Sequence, residues 1–404
     1  MITDTIRIFS LNHNECTTLL LNIERYISVE YVVKHKYQVY ESVVESIFAE
    51  MFKLPKPTEK GVYYVTLIMD LCKESLDKIP SVLGRCIKLL FKRLDGSDLS
   101  SGMDPEGIKR FAEFFAIHLS NFGFSWKWAD WSHVLKQETT SAQFVFVREV
   151  LEKCIRLAYF DRIKNCIPEG FEKHGSIFPS SAPSYVFRYE DASTTGGMNL
   201  GVENLIILDD ALYELINGLK LKISSREDAT AVQSQLELIK GYISQNASSL
   251  DNSMAMSDND FQPAINIPQE ALFQCVMFHG HKSFSHLLNV IELYLPLLQE
   301  WNQTDESRLL TTQIVFSFWS RNTQFLEIIL GKLVNYRIID SKSVITFLLS
   351  TQVLDNSFDR LFVWSILSST LNKMVYKVKY ISEKLEKMKA DPEAASAMNG
   401  IILN

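Results

Sequence analysis

Apolar residues recur at spacings of three and four along most of the chain, and that period admits helices and little else. Val44, Ile47, Phe48, Met51 and Phe52 form one stripe, closed by Pro55 and Pro57. A second stripe, Val82, Cys86, Leu89, Leu90 and Leu94, opens after Pro80 and is followed by Gly96. A third, Ile108, Phe111, Phe115 and Phe122, follows Asp104-Pro105, where aspartate suits an N-cap and proline the first helical turn. In a fourth, Val147, Val150, Leu151, Cys154, Leu157 and Ala158 line one face, while Glu149 with Lys153 and Glu152 with Arg156 pair at i,i+4 on the other. Strand patterning is scarce: only Tyr185 to Tyr189 alternates cleanly, between Pro183 and the Thr194-Thr195-Gly196-Gly197 turn. The expected fold is all-α, an α-solenoid of helical hairpins, a class that presents surfaces to partners and rarely houses catalysis.

Organisation follows from where the pattern breaks. Residues 1–183 read as one helical-repeat domain, 184–200 as an extended linker and 201–404 as a second helical-repeat domain. Within the latter, helical pattern runs from about Val202 to Lys222. The stretch 244–262 is polar enough to read as a mobile surface loop. Helices return from Gln269 to Leu295, with a break at Pro296, then Arg308 to Ser320, Gln324 to Tyr336 and Ser341 to Thr351. A long arm over 358–390 carries Leu367, Leu371, Met374, Val378, Ile381, Leu385 and Met388 at alternating spacings of four and three, the heptad seam of a coiled coil that requires a second helix.

With 41 Lys and Arg against 48 Asp and Glu, the net charge of -7 provides no global field for nucleic-acid phosphates, so any such site must be local. Six cysteines without a close CxxC pair read as reduced thiols on apolar helix faces. No apolar run is long enough to span a bilayer, and the reading expects no membrane partner. Catalytic motifs are absent: GxSxG, the P-loop, HExxH and GxGxxG do not occur, so no catalytic residue and no cofactor are assigned. His279, His281 and His286 lie close in sequence, but without a completing carboxylate no metal is assigned to them.

Eight aromatic residues crowd the stretch from Phe111 to Trp131, ending in Phe124-Ser125-Trp126-Lys127-Trp128-Ala129-Asp130-Trp131. Trp126 and Trp128 beside Asp130 have the chemistry to sandwich a cationic base and read its edge. The competing reading, which we prefer, packs Trp128, Trp131, Val134 and Leu135 at helical spacing against Phe111, Phe115 and Phe122 as continuous core. Arg148, Arg156, Tyr159 and Arg162 are candidates for a docking face. Tyr185, Arg188 and Tyr189 are further candidates in the extended segment, because aromatics and arginine dominate interface anchors.

Four strings, read together, resemble the large subunit of the nuclear cap-binding complex. They are the run from Phe124 to Trp131, with Trp126, Trp128 and Trp131; Phe146-Val147-Arg148-Glu149 continuing to Tyr159; Lys282-Ser283-Phe284-Ser285-His286; and Arg360-Leu361-Phe362-Val363-Trp364 with Ile366, Leu367, Lys373 and Met374. Val43 to Pro57 and His118 to Phe122 extend the likeness, to about residues 37–385. The resemblance implies consecutive helical domains similar to the middle domain of the translation initiation scaffold called four-G, here the second and an incomplete third, with the third stopping after one arm of a coiled-coil hairpin. It also implies a non-enzymatic, nuclear protein, with possible shuttling to the cytoplasm, whose import signal lies outside this chain. Its expected partner is a small subunit of RNA-recognition-motif fold that holds the 7-methylguanosine cap, so that capped RNA is met only indirectly. The implied processes are splicing, export and nonsense-mediated decay. A helical scaffold that binds RNA directly, or one that serves translation initiation, is the alternative.

Overall fold

The computed structural model describes residues 1–34, 38–96, 102–189, 210–254 and 266–390. It divides into two compact units, Met1–Ala182 and Pro183–Asn404. Among the described residues there is no strand.

The first unit contains α1 (Ile2–Ile8), α2 (His13–Leu21), α3 (Val29–Lys34), α4 (Val39–Met51), α5 (Gly61–Glu74), α6 (Ile79–Lys92), α7 (Pro105–Asn121), α8 (Ala142–Leu157), α9 (Phe160–Cys166) and α10 (Glu169–Glu172). The Asp104 side chain caps α7 by accepting from the Glu106 N–H at 2.8 Å, with Pro105 in the first turn, and Ser141 caps α8 in the same manner. Helix α6 corrects the expected phase. Its buried residues are Val82, Leu83, Ile87 and Phe91, while Leu89 is exposed, because the face is anchored by Phe91 against Trp131. The fourth stripe is also incomplete as an account of α8. The helix is enclosed through its first two turns, so that Arg148 and Glu149 are buried where a solvated charged face was expected.

The second unit contains α11 (Asp210–Ser224), α12 (Ala229–Met254), α13 (Ile267–Gly280), α14 (Phe284–Leu293), α15 (Leu295–Glu300), α16 (Asp305–Phe318), α17 (Thr323–Asn335), α18 (Ser341–Leu348), α19 (Thr351–Ser357) and α20 (Leu361–Ala390). Helical order continues past Ser244 as far as Met254, with non-helical dihedrals at Asn246, so the expected loop overlaps a helix; residues 255–262 lie outside the described residues. Pro296 opens α15 in its first turn, where the missing N–H costs nothing. The expected helical pattern from Val202 falls on described residues only from Asp210.

The segment 184–189, expected as part of an extended linker, is fastened to the second unit. The Ser184 N–H donates to the Arg321 carbonyl and the Val186 N–H to the Phe318 carbonyl at 2.8 Å, while Phe187 and Tyr189 are buried in the core of the second unit. Residues 190–200 of the expected linker lie outside the described residues.

Helix α20 packs its beginning, through Val363, Ile366 and Thr370, against α17 and α18. Beyond that the heptad residues Leu371, Met374, Val378, Ile381 and Leu385 are all exposed within the second unit.

Candidate partner-docking surface

The surface is built from the aromatic core outward. Trp131 stacks on Phe91 with ring centroids 4.1 Å apart, and Phe111 stacks on Phe146 at 4.5 Å, joining α6, α7 and α8 through their rings. Trp128 and Trp131 are each only 3% exposed, which leaves no indole face of either for a base. They sit in a 3-10 segment, Trp128–Lys136, and its buried residues Trp128, Trp131 and Val134 recur every three positions, the period of that helix type. Trp126 is half-buried, its ring edge-on to Phe115 at 4.9 Å. Asp130 is engaged elsewhere: Lys88 donates to its carboxylate at 2.9 Å and, by that hydrogen bond and its charge, holds the carboxyl below its usual range.

After α7 the backbone turns left-handed twice in succession, at Gly123 (φ 68) and Phe124 (φ 61). Glycine adopts that region freely, but for phenylalanine it costs about 1–2 kcal/mol. Two features hold it: the Phe124 N–H donates to the Leu119 carbonyl at 2.7 Å, and the ring is buried. Over that ring, 5.2 Å from its centroid, lies the guanidinium of Arg162, an exposed residue in the first turn of α9. Between α8 and α9 the helix breaks at Ala158 and Tyr159 is extended, leaving Tyr159 61% exposed and Leu157 48% exposed.

Of the residues singled out in sequence, the structure therefore brings Tyr159 and Arg162 together at one exposed turn, with Arg156 on the preceding helix in an ion pair with Glu152 at 3.7 Å. Arg148 is withdrawn from that surface, 3% exposed, with its guanidinium 5.7 Å from the Phe144 ring. Tyr185, Arg188 and Tyr189 belong to the second unit. Tyr185 stacks on Phe318 at 5.3 Å, Arg188 donates to buried Glu270 at 2.6 Å, and Tyr189 is buried, its hydroxyl pushed well above its ordinary pKa by desolvation. Trp364 is partly exposed at the start of α20 and donates its indole N–H to the Phe358 carbonyl at 2.8 Å. Leu157, like Leu89, was expected on a buried face; the signal for Leu157 was its place at the end of the helix.

All six cysteines are free, and burial pushes Cys72, Cys154 and Cys275 up to about 12. Among the described residues no helix is long and apolar enough to cross a membrane.

Two family models, each described as MIF4G like, match consecutive parts of the chain, residues 1–169 and 217–400. The chain carries two MIF4G-like domains. These two segments fall in different structural units, and the described regular structure of both is helical, as expected of an α-solenoid. This MIF4G-like chain is 32% identical over 364 residues to nuclear cap-binding protein subunit 1 of Xenopus tropicalis, a match covering 89% of this chain and 41% of that protein. Against the human protein of the same name the identity is 31% over 361 residues, with 89% and 41% covered, and against that of Aedes aegypti 29% over 390 residues, with 95% and 43% covered. The chain thus spans about two-fifths of the length of these relatives.

Proposed function

We propose that this chain acts as a non-enzymatic scaffold of the nuclear cap-binding complex, docking and ordering a small subunit of RNA-recognition-motif fold that itself holds the 7-methylguanosine cap. The observation that carries this reading is the exposed triad Leu157, Tyr159 and Arg162, braced from beneath by the strained, buried Phe124. A tyrosine and an arginine beside exposed apolar surface have the composition of an interface anchor, and a rigid base spares the ordering entropy that a loop would lose on binding. The likeness to cap-binding relatives over nine-tenths of the chain supports the choice of partner.

The mechanism is preorganisation. A partner that binds only the cap-competent conformer of the small subunit raises the population of that conformer, and the apparent cap affinity rises in proportion. The scaffold needs no contact with the cap, in keeping with tryptophans enclosed in its core. By the same reading the protein is nuclear and serves splicing, export and nonsense-mediated decay of capped transcripts. The test is co-purification of the chain with the small subunit: Tyr159→Ala with Arg162→Glu should abolish the complex while preserving the melting profile of the chain. Retention of the complex by that double variant would refute this docking face.

A further inference from the structure

The second unit contains a concentration of basic and aromatic groups that the docking reading does not use. It surrounds the end of α13, where the His279 and His286 rings lie 5.1 Å apart across the α13–α14 turn. Burial lowers the pKa of His279, and the surrounding basic side chains His286, Arg226, Lys282 and His281 push it the same way. Lys282 and Arg226 are exposed. The neighbouring acids are engaged: Glu227 pairs with Lys222 at 3.1 Å, and Asp228 accepts from the Ala231 N–H at the start of α12. Positive charge is therefore gathered here on a chain whose net charge is -7.

Aromatic rings adjoin these charges. The Tyr185 ring lies 4.4 Å from the His281 ring and 5.8 Å from Phe278, and Lys220 sits 4.3 Å over the Phe278 ring. Tyr185, Phe278 and His281 are all half-buried, so each retains part of its surface for contact. Lysine and arginine interleaved with flat rings match a single-stranded nucleic acid, whose phosphates seek cations and whose bases seek faces; a phosphopeptide would use the cations and leave the rings idle.

We propose that the end of α13, with Arg226, Lys282 and His286 as the phosphate-facing groups and Tyr185 with His281 as the aromatic side, is a binding site for single-stranded RNA. It is independent of any cap and of the small subunit. Two fixed cations neutralise two phosphates, with the His286 ring adding a neutral contact, which sets a salt dependence of log K on log salt of about -1.4.

The experiment is fluorescence anisotropy of a labelled, uncapped oligoribonucleotide titrated with the whole chain alone, beginning at about 50 mM salt. Saturable binding is expected, and the double variant Arg226→Gln, Lys282→Gln should weaken it at least about tenfold and flatten the salt slope by about 1.4. Both residues are exposed, so helicity and melting should match the parent; His281→Ala should weaken binding by a smaller factor. Absence of binding by the parent, or equal binding by the double variant, overturns the proposal. Displacement of the RNA by a phosphoserine peptide at equal phosphate concentration would overturn the assignment to nucleic acid.

Discussion

Arg188 donates to the carboxylate of Glu270 at 2.6 Å within the second unit, so the last described turn of the extended segment is anchored to the first turns of α13 by an ion pair. Glu270 is buried, and that burial raises its pKa despite the opposing pull of Arg188. Removing one member of a buried pair leaves the other without compensation, so Arg188→Ala should destabilise the second unit by about 3 kcal/mol, and Glu270→Gln by less. Hydrogen exchange in residues 184–189 and in α13 checks this: both should lose protection in Arg188→Ala, while α4 to α8 keep theirs.

Trp131 is the centre of the aromatic core, touching Phe91, Phe115, Trp128 and Phe146. Trp131→Ala should cost about 3–5 kcal/mol in denaturant unfolding of the first unit, the range for a large aromatic truncated in a packed core. Trp126→Ala should cost clearly less, since that ring is half-buried at the edge of the cluster.

Much of this core was legible in the sequence because its signal is local. The spacings of three and four in Ile108, Phe111 and Phe115 define α7, and Asp104-Pro105 marks its start. What escaped depends on partners distant in the chain. The phase of α6 follows from Phe91 meeting Trp131, forty residues on, and the extended segment looks like a linker until Phe318 and Glu270 are placed beside it. The docking turn was half legible: Tyr159 and Arg162 have the composition of anchors, but an arginine on a helix says nothing of its burial, and Arg148 lies inside while Arg162 lies outside.

His118 supplies a pH test. Its ring packs against Phe114 and Phe122, its Nδ1 finds no hydrogen-bond partner, and desolvation lowers its pKa to about 4. An unfolded histidine takes up its proton near 6.5, so between 6.5 and about 4 the unfolded state holds more protons than the folded one. Stability is then whole above 6.5 and declines as pH falls through that window, by at most about 3 kcal/mol. Replacing His118 with leucine should flatten the urea midpoint of the first unit across that range; an unchanged slope would contradict the assignment.

The heptad residues beyond Thr370 contribute little to the second unit, because Leu371, Val378, Ile381 and Leu385 are exposed there. Changing those four to glutamine should leave its unfolding midpoint within about 0.5 kcal/mol of the parent, the scale of surface substitutions. A larger loss would mean that the seam is covered by the chain itself.

Titration of a capped and an uncapped fluorescent RNA of the same sequence, with the chain alone and then with the small subunit added, tests the scaffold reading most directly. The account predicts that the chain alone binds both RNAs equally, that cap preference arises only with the small subunit and increases when the chain joins it, and that Tyr159→Ala, Arg162→Glu abolishes that increase. Cap preference by the chain alone would contradict it.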